Sequence, residues 1–345
     1  MMRRALILYG GLGDVALISA LSRLLAQSGH AHLILVTSEK FVAFARRYGA
    51  FDSVIAHSLE GGSRALRELA CLNVAGVYDL HNTSFTESPY FAWLSNWRGA
   101  AIHLPFIRAA RLDSRVPVTI VPERITKDND ANVVSYLRRL GITDVLIQPN
   151  SLRLLPRRGD FRAARLWRER LGTRHNGEIV ALVPFSRYQH KQWLQEHWKA
   201  FVRAIKATNR ALCLVCSRPE FDQAKALDLG EDVNIVAADT PEEYVAIALA
   251  VDIVVTVDSG IKHIAGYLNR PVLALYGPTS PRIWGTLSKL EFQALGSSHC
   301  HPCNNSYFCP AREWICMQLI RPEQVAQALD HQLGRTARPM QNSLI

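Results

Sequence analysis

The chain has 345 residues, 48% hydrophobic and 20% charged, a globular composition on a length that suits two domains better than one core. Forty Lys and Arg against 30 Asp and Glu give +10, which directs attention to anionic partners: nucleotide, phosphorylated glycan, acidic membrane or nucleic acid. No apolar run reaches the roughly 18–20 residues of a membrane span, and no interleaving of aromatic and basic residues supports nucleic-acid binding.

The first segment, 4–9, reads as a buried strand. Arg3 and Arg4 before it imitate a secretion signal, but the apolar run ends at Tyr9, before three glycines and Asp14, so a cytoplasmic protein is expected. An amphipathic helix through Leu21, Leu24 and Leu25 follows, stopped by Gly29, and then a strand at 32–38. This βαβ unit carries Gly11-x-Gly13, a weak dinucleotide-binding fingerprint. Asp14 speaks against a nicotinamide cofactor, because its carboxylate would face the pyrophosphate. It is left as either a helix N-cap or a functional acid.

Alternating units continue with strands at 51–58 and 76–82 around a helix near 62–72. Asp79 reads as structural, and Trp93, Trp97 and Arg98 as core or cleft residues. Residues 105–128 lack periodicity, and a helix is expected over 130–140. The Pro- and Arg-bearing stretch 150–163 reads as a linker. The expected domains are therefore 1–163 and 164–345.

A fresh series starts with strand 178–185, polar loop 186–193 and helix 196–207. Strand 212–217, helix 220–228 and strand 233–237 come next. Thr240-Pro241-Glu242-Glu243 predicts a firm helix start: a cap, Pro in the first turn and Glu at the third position. A last helix is expected at 322–333. Cys300, Cys303, Cys309 and Cys316 begin with a C-x2-C pair. Reduced thiols, a structural zinc or iron site and a disulfide are the readings open to them.

The densest pattern is at 251–281. An all-apolar strand, Ile253 to Val257, runs into Asp258-Ser259-Gly260, a short helix, Pro271 and a second apolar strand. Such a unit belongs to a parallel sheet. The free N–H groups and dipole of its helix favour an anion. Asp258, Lys262 and His263 would lie at the carboxyl end of the strand, where open α/β sheets bind ligands. Helix capping by Asp258 or Ser259 is the alternative.

Asp258, Ser259, Gly260, His263, Pro271, Gly277, Pro278 and Thr279, followed by Trp284, resemble the donor-binding signature of glycosyltransferase family 9, the lipopolysaccharide heptosyltransferases. The resemblance implies an α/β protein of GT-B architecture, with two Rossmann-like domains facing each other across a cleft and the last helix packing back on the first. It implies inverting, metal-independent transfer of heptose from ADP-heptose to a lipopolysaccharide-core-type acceptor, with no cofactor. Gly11, Gly13 and Asp14 match the family's acceptor-facing loop, which makes Asp14 the expected catalytic base. Ser186 and Lys191 match its phosphate-binding loop, Glu220 its ribose-holding acid, and Asp258, Ser259, Gly260 and His263 its donor turn. Arg108 and Arg111 would suit a phosphorylated acceptor. The implied partners are a nucleotide sugar and a glycan or glycolipid, with peripheral contact to the anionic inner membrane surface. Lys262 and Tyr267 depart from the family's small or apolar residues. Another nucleotide sugar or a protein acceptor is the nearer alternative, and an NAD(P)-dependent oxidoreductase the more distant one.

Overall fold

Unbroken apolar runs become the central strands. The computed structural model describes residues 3–57 apart from 9 and 31, and 68, 72, 74–80, 101–103, 132–172, 177–206, 210–296, 298–303, 309 and 314–336. The chain divides into two compact units, Met1–Leu154 and Leu155–Ile345.

In the first unit, β1 (Arg3–Leu8), α1 (Leu12–Gln27), β2 (Leu33–Ser38), α2 (Glu39–Tyr48), β3 (Ser53–His57), β4 (Val74–Asp79), β5 (Ala101–His103) and α3 (Asn132–Arg139) follow in order. The strands form one parallel sheet in the order β3-β2-β1-β4-β5. Helix α1 is buried from Val15 through Ser22, where one apolar face was expected. Ser22 is accommodated there because its Oγ donates to the Ser19 carbonyl at 2.8 Å and accepts from Ala50 N–H at 2.9 Å. Gly29, at φ +82°, follows the helix in the left-handed region that glycine tolerates. The helix expected near 62–72, Cys71, Trp93, Trp97, Arg98, Arg108 and Arg111 lie outside the described residues, apart from 68 and 72.

The second unit runs α4 (Arg158–Gly172), β6 (Ile179–Val183), α5 (Gln195–Ile205), β7 (Ala211–Ser217), α6 (Phe221–Ala226), β8 (Val233–Ala238), α7 (Pro241–Ala250) and β9 (Ile253–Val257). It continues with α8 (Gly260–Tyr267), β10 (Val272–Tyr276), α9 (Pro281–Trp284), β11 (Glu291–Leu295), α10 (Ile315–Gln318) and α11 (Pro322–Thr336). Its parallel sheet is ordered β11-β10-β9-β6-β7-β8, the doubly wound arrangement with its switch point between β6 and β9. β6, β9 and β10 are buried at every position, as strands covered on both faces must be. β11 (EFQAL) and the three-residue β5 escaped the sequence reading.

The division at 154 instead of 163 has a local cause. The stretch read as a linker contains the start of α4, which the second sheet claims. Arg168 donates to the Ala250 carbonyl at 2.8 Å and to both Asp252 oxygens, at 3.1 and 3.0 Å. Asp252 also accepts from the Ile179 N–H at 2.8 Å, locking the beginnings of β6 and β9 together. The final helix packs on α5 in its own unit, contributing Val325, Leu329 and Leu333 to the core around Trp198 and Phe201. At α7, Thr240 Oγ1 accepts from Glu243 N–H at 3.3 Å, while Glu243 accepts from Asp239 N–H at 2.8 Å. The return arm of the expected capping box therefore reaches one residue further upstream.

Candidate functional site

The switch point of the second sheet brings together three segments: the loop after β6, the turn after β9 and the loop after β10. Asp258 is their common centre. Its Oδ2 accepts from Lys191 Nζ at 2.9 Å and from Thr279 Oγ1 at 2.9 Å, and its Oδ1 accepts from Lys262 Nζ. Asp258, Lys191, Lys262 and Thr279 are all buried. Burial alone would raise the Asp258 carboxyl, but the charges of Lys191 and Lys262 overcome it and hold the group well below the ordinary carboxylate range.

Lys262 lies on α8 one turn beyond Asp258, the i,i+4 spacing that juxtaposes side chains. Its ammonium also donates to Tyr276 OH at 2.8 Å and to the Trp284 carbonyl at 2.7 Å. Tyr276 OH donates onward to Glu291 Oε1 at 2.6 Å, and Glu291 Oε2 accepts from the Thr286 amide at 2.7 Å and hydroxyl at 2.5 Å. Burial, and then the Glu291 charge, push the Tyr276 phenol well above its usual value, so it stays a neutral donor. Gly266 makes room for this corner: a Cβ there would stand 2.3 Å from Thr286 Oγ1.

Lys191 belongs to a one-turn 3-10 segment, Gln189–Lys191, and is not the solvated loop cation that its polar neighbours suggest. Its Nζ sits 5.5 Å from the Tyr188 ring centroid and 5.4 Å from that of Trp284. The Trp284 indole N–H is a buried donor with no hydrogen-bond partner among the described residues. Ser186 Oγ donates to the Asp258 carbonyl at 3.3 Å, joining the two loops. Ser259 stands at the N-cap of α8, but its hydroxyl pairs with Thr256 Oγ1 at 3.0 Å and no side chain caps the helix. The turn at Ser259–Gly260 thus presents an uncapped helix N-terminus beside a lysine, an arrangement suited to an anion.

His263 is buried, with Nδ1 3.3 Å from Tyr267 OH. Burial, then the Lys262 charge, lower its pKa well below the usual imidazole value, so the ring is neutral at neutral pH. Glu220 stands one strand over, after β7, where its Oε2 accepts from the Ser217 amide at 2.8 Å and hydroxyl at 2.6 Å. That is a capping role carried by a single oxygen.

In the first unit, Gly11 is the N-cap of α1 and Gly13 lies in its first turn. Asp14 Oδ2 accepts the Gly11 N–H at 2.8 Å. The close approach is at Gly10, where a Cβ would stand 2.4 Å from that oxygen. Thr279 belongs to the signature read from the sequence, whereas Gly10, Tyr276, Thr286 and Glu291 carry no motif there. The only prior signal for the wider network was the i,i+4 pair Asp258 and Lys262.

The cysteine segment packs beneath the Gly277–Pro278 loop. His301 Nδ1 contacts the Gly277 carbonyl, Cys303 Sγ is 3.7 Å from the Pro278 carbonyl, and a Cβ on Gly277 would meet Met317 Sδ at 2.2 Å. Cys300, Cys303, Cys309 and Cys316 are free thiols lining one cavity with His190 and His301. Among the described residues, no three His, Cys, Asp or Glu side chains are arranged to hold a metal ion. Burial pushes the Cys316, Cys216 and Cys213 thiols up, to about 11, 11 and 12, which makes them unreactive.

The family model for glycosyltransferase family 9 (heptosyltransferase) matches residues 160–314, a span that holds every second-unit site residue named above. Over 133 residues the chain is 31% identical to lipopolysaccharide heptosyltransferase 1 of Escherichia coli strain K12, covering 38% of this chain and 41% of that relative. The chain thus spans about two fifths of the length of that curated relative. Over the whole fold, the structure of ADP-heptose lipopolysaccharide heptosyltransferase II from E. coli superposes with TM-score 0.72 at 17% identity, covering 98% of this chain and 100% of that one. A family 9 glycosyltransferase from Veillonella parvula gives TM-score 0.73 at 17% identity, with 97% of each chain covered. Residues 160–314 thus match glycosyltransferase family 9, and the likeness of the whole fold to these two structures places the chain in the GT-B class.

Proposed function

We propose that the protein is a heptosyltransferase that moves heptose from ADP-heptose to a lipopolysaccharide-core-type acceptor with inversion at the anomeric carbon. The observation that carries the reading is the buried Lys191–Asp258–Thr279 cluster beside the uncapped N-terminus of α8. A lysine and a helix N-terminus together meet the need of a departing diphosphate for positive charge where the negative charge develops. In this reading Lys191 and the Ser259–Gly260 amides clamp the diphosphate, Ser186 supports the loop, the Trp284 N–H supplies a further donor, and Glu220 meets the ribose through its remaining oxygen. No metal or cofactor takes part, since Lys191 and the helix dipole fill the role of a divalent cation.

Asp14 takes the proton of the acceptor hydroxyl. The hydroxyl oxygen bonds to the anomeric carbon as the bond from that carbon to the ADP oxygen breaks, so a single displacement inverts the centre. General-base assistance of this kind contributes roughly 10²–10⁴-fold. The Gly11 amide holds the Asp14 carboxylate at the N-terminus of α1. The setting is cytoplasmic, and the +10 charge favours approach to an anionic membrane surface. Among the described residues no helix is long and apolar enough to cross a membrane.

The test is binding and turnover by the full chain: ADP, UDP, GDP, CMP and NAD ranked by calorimetry, then transfer from ADP-heptose to a core glycolipid lacking heptose. Selective ADP binding with transfer supports the reading. A preference for NAD, or for another nucleotide with no transfer from ADP-heptose, overturns it.

A further inference from the structure

Two buried lysines share one buried aspartate, and they are not equivalent. Lys262 is wholly inaccessible, and its three bonds, to Asp258 Oδ1, Tyr276 OH and the Trp284 carbonyl, use all three ammonium hydrogens. Lys191 retains 9% side-chain exposure and is tied to one acid oxygen, with aromatic rings for its other neighbours. The two cations engage different oxygens of Asp258, and Thr279 also bonds the oxygen used by Lys191.

We infer that Lys262 is a resident counter-ion that frees Lys191 for the donor diphosphate, a positioning residue that acts through Asp258 without touching ligand. The inference rests on the donor role proposed above for Lys191. With only Lys191 opposite it, Asp258 would form a neutral buried pair, and a phosphate could recruit that lysine only by leaving a buried carboxylate uncompensated. With Lys262 in place, Asp258 keeps a full charge partner and the Thr279 hydroxyl when Lys191 turns away. Tyr276 and Glu291 hold Lys262 from its far side. His263, the remaining titratable neighbour on α8, is kept neutral by its burial.

The experiment is ADP calorimetry on the full chain, with thermal midpoints recorded in parallel, for the unaltered protein, Lys262→Met, Asp258→Asn and the double variant. Lys262→Met is expected to weaken ADP binding by about tenfold or more, and adding Asp258→Asn to regain about tenfold of that loss, because the neutral amide no longer competes for Lys191. A lysine that served only as packing would leave the double variant as weak as Lys262→Met, and that result overturns the inference. Unchanged ADP affinity in Lys262→Met also overturns it, while leaving the donor reading intact. Failure of the unaltered chain to bind ADP removes both. Should Lys262→Met not fold, the double variant is compared with Asp258→Asn alone. Agreement within about threefold supports the inference, and a further loss of about tenfold overturns it.

Discussion

Each unit places a carboxylate near the end of a central parallel strand at its sheet's switch point, and the two are treated in opposite ways. Asp14, in the first turn of α1, is half-buried and accepts a neutral backbone amide. Asp258, just ahead of α8, is buried and accepts two ammonium groups and a hydroxyl. An acid bonded by an amide can still take up a proton. One pinned between two cations does so only far below neutral pH, because protonation would strand both charges. The ammonium groups around Asp258 therefore mark it as a fixed structural anion, although the two turns look alike on paper.

The largest expected effect tests the first half of this contrast. Asp14→Asn keeps the backbone bond, and turnover should fall by roughly 10²–10⁴-fold while ADP affinity holds. Near-normal kcat in a steady-state assay would return Asp14 to a capping role. Next comes Lys191→Met, expected to weaken ADP binding by about 10–100-fold, the worth of a charge-assisted bond. Its thermal midpoint should fall little, since Asp258 keeps Lys262, and a collapse of stability would mean the two lysines are not the division of labour described here. Gly10→Ala drives a methyl into the Asp14 carboxylate, since a Cβ there would stand 2.4 Å from Oδ2. A loss of about tenfold in turnover at unchanged ADP affinity is expected, and equal losses in both would tie the glycine to the donor.

The smallest effect at neutral pH belongs to Asp258 itself. Its folded pKa is depressed, so its stabilisation is fully present above the ordinary carboxylate value, about 3.9, and is withdrawn as pH falls below that toward the folded value. Acid-unfolding curves should therefore be flatter below about pH 4 for the variant lacking both Asp258 and Lys262 charges. An identical slope would place the depressed group elsewhere.

Much of the second sheet is legible in the sequence because strands covered on both faces leave continuous apolar runs, as in Ile253–Val257 and Val272–Tyr276. β11 was not, since a half-covered strand reading EFQAL has neither a run nor a clear alternation. The start of α4 was hidden for a related reason: only Asp160, Ala164 and Leu171 are buried along it, so its arginines read as a linker. At the site, Lys191, Asp258 and Ser186 were found by motif, but their mutual bonding was not. Ion pairs between residues 67 apart are created by strand order, not by spacing. Glu220 shows the converse, a residue matched by motif to a ribose-holding acid that makes a local capping bond to Ser217.

Trp193, two residues past the lysine assigned to the diphosphate, hangs its indole N–H on the carbonyl of Ile320 at 3.0 Å, with Trp198 edge-on at 5.1 Å. Ile320 leads directly into α11, which adds three aliphatic side chains to the same core. The segment from Ile320 onward is thus the mount on which the loop carrying Lys191 is set. A shortened protein that stopped before Ile320 would retain all six strands of the second sheet yet lose the fixture that aims Lys191.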